Sequence, residues 1–353
     1  LSIVFTFSPN NTEPDLITFV DIHPENHPQF IDVRSPSEYK TGHIPGAVNV
    51  PLFDDTERAI VGTLYKRVSK EAAITKGFEL AGPKRHQIVE AVKKIAGNEA
   101  VVYCWRGGIR SGSVCRLLAE YGIQTKKIEG GYKAYRKHIR ASLQKPAHFI
   151  VLGGFTGSGK TAILHGLHRH NTQIVDLEGL ANHPGSVFGH INQPPQPTTE
   201  QFENNLYQKF QSLNKTEPII IENESYAIGQ VHLPEPFLLQ MRSAPLISLD
   251  VAKEVRVKRL VEEYGKSDKK ELIAAAQQLE KKLGSKKLAC VEEHLQHDRF
   301  DLACEVLLTH YDSYYNRSFG KRGKEAVHVL QLTGTDLEKD VQSVARKIME
   351  LHV

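Results

Sequence analysis

Phe149-Ile150-Val151-Leu152-Gly153-Gly154-Phe155-Thr156-Gly157-Ser158-Gly159-Lys160-Thr161 runs from four apolar residues into a glycine-rich turn, with a helical pattern directly behind it. A short, unbroken apolar run reads as a strand buried on both faces, the kind a parallel sheet requires. From Gly154 to Thr161 the sequence fits G-x-x-x-x-G-K-[ST] in full. In such a P-loop the turn around Gly154, Gly157, Ser158 and Gly159 points backbone N–H groups at a di- or triphosphate; Lys160 adds a point charge, and Thr161 is placed to ligate Mg²⁺. Strand, phosphate turn and helix in that order predict an α/β fold built on a parallel sheet.

Downstream, Gln173-Ile174-Val175, Pro218-Ile219-Ile220-Ile221, Leu246-Ile247-Ser248-Leu249 and Val327-His328-Val329-Leu330 read as further strands, with a closing helix over 336–351. Asp176, Glu222 and Asp250 follow strand ends, and any of them is a candidate to face Thr161. The three prolines between Asn192 and Thr199 make a surface loop. From Lys253 to Lys287, eleven Lys or Arg stand against six Asp or Glu, the strongest local positive bias in the chain. Arg256 and Arg259 in that segment could instead close over bound phosphates.

Upstream, runs around Gln29–Val33, Ala47–Val50, Ala100–Tyr103 and Thr125–Ile128 alternate with helical patterns over 83–95 and 111–121 and predict a second parallel α/β domain. Leu1 to Phe7 reads as an edge strand. The proline-containing join at 142–146 separates the halves, giving domains 1–143 and 144–353, the latter carrying the basic helical segment 253–287. In the first half, Val101-Val102-Tyr103-Cys104-Trp105-Arg106-Gly107-Gly108-Ile109-Arg110-Ser111 delivers a cysteine from a buried strand into a glycine turn at a helix start. A helix N-terminus flanked by guanidiniums stabilises a thiolate and holds an anion, so Cys104 is the candidate nucleophile, with Arg106 and Arg110 as its anion ligands. Cys115, Cys290 and Cys304 lie in helical patterns and read as packing residues.

Composition sets outer limits. The chain has 353 residues, 40% hydrophobic and 24% charged, with a formal net charge of +4. Two soluble domains of ordinary size follow, with no run of about 20 apolar residues to span a membrane. Four cysteines without paired spacing suggest neither a disulfide framework nor a zinc site, which fits a reducing, cytoplasmic compartment. The mild basicity permits a nucleic-acid partner.

Asp32-Val33-Arg34-Ser35-Pro36-Ser37-Glu38-Tyr39, followed by Gly42-His43-Ile44-Pro45-Gly46-Ala47-Val48-Asn49-Val50-Pro51, resembles the rhodanese domain, with Cys104 at that family's sulfur-carrying position. With the P-loop behind it, and with Glu129-Gly130-Gly131-Tyr132-Lys133-Ala134-Tyr135-Arg136, the chain resembles the tRNA 2-selenouridine synthase family over nearly its whole length. The resemblance implies an N-terminal rhodanese-like and a C-terminal P-loop NTPase-like domain. It further implies replacement of sulfur by selenium in wobble 2-thiouridine, with selenophosphate as donor and the tRNA anticodon loop as partner. An S-geranyl intermediate would be made from geranyl diphosphate held at the P-loop, and a selenophosphate-supplying protein would be a further partner. Cys104 would then handle selenium, and Trp105, ahead of Tyr132 and Tyr135, would stack on the wobble base.

Two other readings follow from the same residues. Five residues between Cys104 and Arg110 make a ring wide enough for a tetrahedral oxyanion, as in cysteine phosphatases of rhodanese-like fold. A sulfurtransferase or phosphatase fused to a kinase-like domain is therefore one alternative. A non-catalytic phosphate-sensing module is the other.

Overall fold

The computed structural model describes residues 15–18, 28–319 (backbone only from 314) and 326–352; the strand expected at Leu1 to Phe7 lies outside them. The chain divides into two compact units after Ser142.

In the N-terminal unit, β1 (Asp15–Ile17), β2 (Phe30–Asp32), α1 (Pro36–Thr41) and β3 (Val48–Asn49) are followed by a helical pair, α2 (Asp55–Arg67) and α3 (Lys70–Ala81). Then come α4 (Arg85–Ala96), β4 (Glu99–Tyr103), α5 (Ile109–Glu120), β5 (Gln124–Ile128) and α6 (Gly131–Ser142). The strands form one parallel sheet in the order β1-β5-β4-β2-β3. Val101, Val102 and Tyr103 are fully buried because β4 lies inside that sheet with helices on both faces. One face packs Val92, Val114 and Leu118 against Ile31 and Val102. The pair α2–α3 is an addition that the α/β alternation did not announce. Ser69 starts α3 by accepting from the Ala72 N–H at 3.0 Å, yet α2 buries none of its residues.

The C-terminal unit opens with β6 (Phe149–Gly154), α7 (Lys160–Arg169), β7 (Gln173–Val175), α8 (Leu177–Ala181), α9 (Thr199–Gln211) and β8 (Ile219–Glu222). A small antiparallel pair, β9 (Ala227–Ile228) and β10 (Val231–His232), precedes α10 (Glu235–Ser243) and β11 (Leu246–Asp250). Five helices follow: α11 (Lys253–Tyr264), α12 (Lys269–Gln277), α13 (Glu280–Leu283), α14 (Ser285–Gln296) and α15 (Phe300–Phe319). Finally come β12 (Val327–Gln331) and α16 (Leu337–His352). The second sheet is parallel, in the order β12-β11-β6-β8-β7. This puts the P-loop strand β6 at the centre, with Glu222 at the tip of the neighbouring strand β8. Ile150, Leu152 and Ile220 pack beneath α7 and α16. A separate apolar layer joins α12, α14 and α15 through Leu272, Val291, Leu295 and Ala303. The strands expected from the sequence agree in position to within about two residues, as expected when buried parallel strands interrupt amphipathic helices, whereas β1, β9 and β10 were not expected.

Candidate functional site

In the N-terminal unit, β4 ends at Tyr103 and releases Cys104 into the turn that opens α5. Gly107 sits at φ +62°, and a Cβ there would come within 2.5 Å of the Ile128 carbonyl. Gly131, at φ +60°, meets the loop from the other side, where a Cβ would approach the Gly107 nitrogen and the Cys104 carbonyl to 2.3 Å. The start of α6 thus clamps the loop: the N–H groups of Tyr132 and Lys133 donate to Cys104 and Trp105 carbonyls, each at 2.9 Å. Cys104 Sγ lies 3.3 Å from Ser111 Oγ on the first turn of α5. Only 3% of Cys104 is exposed, yet it lines a cavity of about 500 Å³ walled by α2 and α3.

The two arginines of the loop differ. Arg106 is exposed, with no ion pair among the described residues. Arg110 donates from Nη1 and Nη2 to the two oxygens of Glu38, at 2.6 and 3.3 Å, and Arg58 Nε donates to the same carboxylate at 3.3 Å. Burial pushes the Glu38 carboxyl up, but Arg110 and Arg58 outweigh it and hold the group below its ordinary value. An anion drawn to Arg110 must therefore compete with Glu38.

The residues that carry the rhodanese resemblance serve as scaffold. Arg34 is buried, donates to Asp32 Oδ2 at 2.6 Å and to the Gly42 carbonyl at 2.6 Å, and lies 3.9 Å from the Tyr132 ring centre. Asn49 ties the Asp32 and Arg34 carbonyls together at 2.8 and 2.9 Å. Tyr132 and Tyr135 are 0% and 4% exposed, which removes them as base-stacking residues; Trp105, 36% exposed and packed on Tyr132, keeps a free face. His43 stacks on Tyr39 and bonds its carbonyl, a structural role.

In the C-terminal unit, Gly154, Gly157 and Gly159 all have positive φ. A Cβ on Gly154 would meet Ser158 Oγ at 2.8 Å, and one on Gly159 would strike Arg259 at 2.4 Å. Lys160 and Thr161 begin α7. Thr161 Oγ1 donates to Glu178 Oε2 (3.0 Å) and lies 3.3 Å from Glu222 Oε1, and Glu222 in turn accepts from the Glu178 N–H at 3.1 Å. Glu178 and Glu224 escaped the sequence reading. The available signal was Asp176: as N-cap of α8 it is engaged by the Gly179 N–H at 2.6 Å and by His165 at 2.9 Å, which leaves the next carboxylate along, Glu178, to face Thr161. Asp250 bonds Gln331 and does not line the phosphate cavity.

Burial is the main force raising the Glu222 carboxyl, helped by Glu178 and Asp176; burial and Glu178 also raise Glu224, against the pull of Lys160. Carboxylates this close hold a proton among them until a cation replaces it. Among the described residues no group of three or more His, Cys, Asp or Glu is arranged to hold a metal by itself. A hydroxyl with one or two carboxylates, completed by phosphate oxygens, is the donor set that suits Mg²⁺.

The cavity beyond Lys160 and Thr161 measures about 440 Å³ and changes character along its length. Its polar end holds the P-loop, Glu178, Glu224 and His183. Its other end is apolar, formed by Leu272, Leu295, Phe300, Ala303, Leu307 and Leu308 from α12, α14 and α15. Cys304 lies there too, its thiol pushed by burial to about 11, as befits a packing residue. The side chains of Tyr314 and Tyr315 are outside the described residues.

Of the two basic residues that could close over phosphate, Arg256 is committed elsewhere: it is 4% exposed and pairs with both oxygens of Asp312 at 2.9 and 2.8 Å. Arg259 lines the cavity while donating to the Gly157 and Gly334 carbonyls at 2.7 and 2.6 Å, bracing the P-loop. Lys258, Lys266, Lys270, Lys281, Lys282, Lys286 and Lys287 of the basic segment are exposed.

A thiol-bearing rhodanese-type loop on one parallel α/β unit, followed by a P-loop on a second, defines a two-domain chain of rhodanese and P-loop architecture. Residues 19–138 match the rhodanese-like domain and residues 147–343 match the tRNA 2-selenouridine synthase AAA domain. The chain belongs to the tRNA 2-selenouridine synthase family. It is 40% identical to a tRNA 2-selenouridine synthase of Bdellovibrio bacteriovorus over 265 residues, 72% of this chain and 68% of that protein. Identity to those of Nitrosomonas europaea and Salmonella arizonae is 38% and 42%, the alignments covering 66% of this chain in each case and 63% and 66% of those proteins. The chain thus spans about two thirds of the length of these relatives. Among the described residues no helix is long and apolar enough to cross a membrane.

Proposed function

We propose that this chain replaces sulfur by selenium in wobble 2-thiouridine of tRNA, through an S-geranyl intermediate. In the first step the 2-thio sulfur attacks C1 of geranyl diphosphate; a C–S bond forms, the C–O bond breaks, and diphosphate leaves while the N3 proton of the base is released to solvent. In the second, selenium from selenophosphate forms the C–Se bond at C2 and geranylthiol departs. Water closes the balance: its oxygen goes to phosphate, and its protons go to the geranylthiol sulfur and to N3 of the base.

The observation that carries the reading is the two-part cavity of the P-loop unit. The Gly154–Thr161 turn suits a diphosphate, and the Leu272–Leu308 end suits a hydrocarbon tail and offers an adenine few polar partners. Mg²⁺, held by Thr161 with Glu178 or Glu222, would neutralise the leaving diphosphate. Cys104, beside the Ser111 hydroxyl, is the selenium-handling thiol; Arg106 draws the selenophosphate anion, and Trp105 stacks on the wobble base. The exposed lysines of 253–287 receive RNA phosphates. The pairing of Arg110 with Glu38 weighs against the phosphatase alternative, which requires that guanidinium for its oxyanion.

Competition between geranyl diphosphate and a fluorescent nucleoside triphosphate for the purified chain tests this. Displacement by geranyl diphosphate, and loss of geranyl diphosphate binding in Lys160→Ala, are expected. Nucleotide hydrolysis that geranyl diphosphate leaves untouched would sink the diphosphate assignment.

A further inference from the structure

The cavity above Cys104 has a composition that thiol chemistry alone does not explain. Its walls include Leu52, Phe53, Val61, Ile74, Phe78 and Trp105, so it is mainly apolar. Arg58, Lys66, Lys70, Arg106 and Arg110 also line it, and no Asp or Glu does. Much of the wall comes from α2 and α3, the pair added to the α/β alternation. Tyr65, Phe78 and Ile109 remain 58%, 38% and 47% exposed around it. Gly62 and Gly77 stand inside these helices and both line the cavity, although glycine weakens a helix interior. A Cβ on Gly77 would already press on the Phe53 ring at 3.3 Å. Small anions such as selenophosphate need the cations but gain nothing from the apolar wall, and a free hydrocarbon needs the wall but not the cations. The combination suits a hydrocarbon group carried on a polyanion, next to a thiol.

We infer that this groove binds the hydrocarbon chain of an S-prenylated base while the RNA phosphates on either side engage its cationic rim. The inference rests on the geranyl-intermediate reading above and adds a second prenyl site, in the N-terminal unit, separate from the apolar end of the P-loop cavity. It gives α2 and α3 a purpose: they present the prenylated sulfur, and so C2 of the base, to the Cys104 loop, and they favour the prenylated RNA over its 2-thiouridine precursor.

The test uses the full chain and two labelled anticodon stem-loops, one with 2-thiouridine and one with chemically installed S-geranyl-2-thiouridine, compared by fluorescence anisotropy at a fixed salt concentration. The geranylated RNA should bind at least about tenfold more tightly to the unaltered chain. Gly62→Leu fills the groove from a half-buried helix position where only the flexible end of Arg58 must move. It should reduce the preference to below about threefold, weakening the geranylated RNA more than the 2-thiouridine RNA. Val61→Asn, which makes the wall polar, should act in the same direction and serves if Gly62→Leu fails to fold. Ala303→Phe, in the P-loop cavity, should preserve the preference. Equal affinity of the unaltered chain for both RNAs overturns the inference. So does a preference lost in Ala303→Phe but kept in Gly62→Leu and Val61→Asn, or equal weakening of both RNAs by the groove variants. Because the RNA is prenylated beforehand, absence of geranyl transfer from geranyl diphosphate would count against the proposed function and leave this binding result standing.

Discussion

The Cys104 loop and the P-loop are built alike and charged oppositely. Each follows a parallel strand buried up to the loop, turns on glycines with positive φ and feeds the first turn of a helix. Around Cys104 the cavity carries five cations and no carboxylate, with Glu38 drawing two of the guanidiniums aside. Around Lys160 and Thr161 the carboxylates Asp176, Glu178, Glu222 and Glu224 crowd in, and one arginine, Arg259, braces the loop from its carbonyls. The same backbone device thus carries two different charge settings, one lined by cations and the other rich in carboxylates. The fold supplies N–H groups and a helix dipole in both, and side-chain charge decides the chemistry.

If the loops divide the labour in this way, two substitutions should separate them cleanly. Cys104→Ser should lower selenation of a pre-geranylated RNA by about 10³-fold or more and leave geranyl transfer within about threefold. Lys160→Ala should do the reverse, lowering geranyl transfer by about 10²–10³-fold, because a charge-assisted contact to the leaving diphosphate is lost. Product analysis by mass spectrometry reads both. Loss of both steps in each variant would mean that the loops act as one site.

The scaffold beneath Cys104 should show the next largest effect. Arg34→Met leaves Asp32 buried and unpaired, and removing one partner of a buried ion pair costs about 3–5 kcal/mol. Chemical denaturation should show that loss, with selenation falling only as far as unfolding takes it. A stable variant with a selective activity defect would instead give Arg34 a role at the thiol.

Both loops were legible in the sequence because each is fixed by local chemistry: a buried run, glycines where φ must be positive, and a helix start. The parallel sheets were legible for the same reason. Three features depend on tertiary placement and were not. Glu178 reaches Thr161 only because Asp176 is spent capping α8, a division of labour that two neighbouring acids do not announce. Glu38 engages Arg110 across 72 positions of chain. Tyr132 and Tyr135 share the buried face of α6 with Ile139, at the i, i+3 and i+7 spacing of a helical stripe; their aromatic character alone favours base stacking, and the packing of that face rules it out. The residues most recognisable as a motif, Asp32, Arg34 and Glu38, are all engaged in ion pairs, Asp32 with Arg34 and Glu38 with Arg110 and Arg58.

The opposite charges also predict opposite responses to pH. Glu222 has a raised pKa, so the folded state holds a proton that the unfolded chain has already lost. Its stabilising contribution is complete below the ordinary carboxylate range and disappears as pH rises through the raised value. Each such group changes stability by at most about 1.4 kcal/mol per pH unit. Thermal unfolding without Mg²⁺ should therefore show Tm falling from mildly acidic to alkaline pH, and Glu222→Gln should flatten that slope. An unchanged slope would place the proton on Glu224 instead.

Glu38 gives the mirror image, on a smaller scale. Its pKa is lowered, so its contribution is present above the ordinary carboxylate value and is lost as pH falls through the depressed one. Its carboxylate accepts from the Ser35 N–H at 3.2 Å at the start of α1, so Glu38→Gln keeps a capping oxygen and costs less than about 1 kcal/mol. What the substitution changes is Arg110, whose guanidinium loses its competing charge. Inorganic phosphate should then inhibit the Cys104-dependent step about two- to fivefold more strongly, a gain within the span of one partly exposed charge pair. The same variant should leave geranyl transfer unchanged. If phosphate inhibition stayed constant, Arg110 would be a structural partner of α1, and Arg106 with the backbone N–H groups of the loop would be the whole of the anion site.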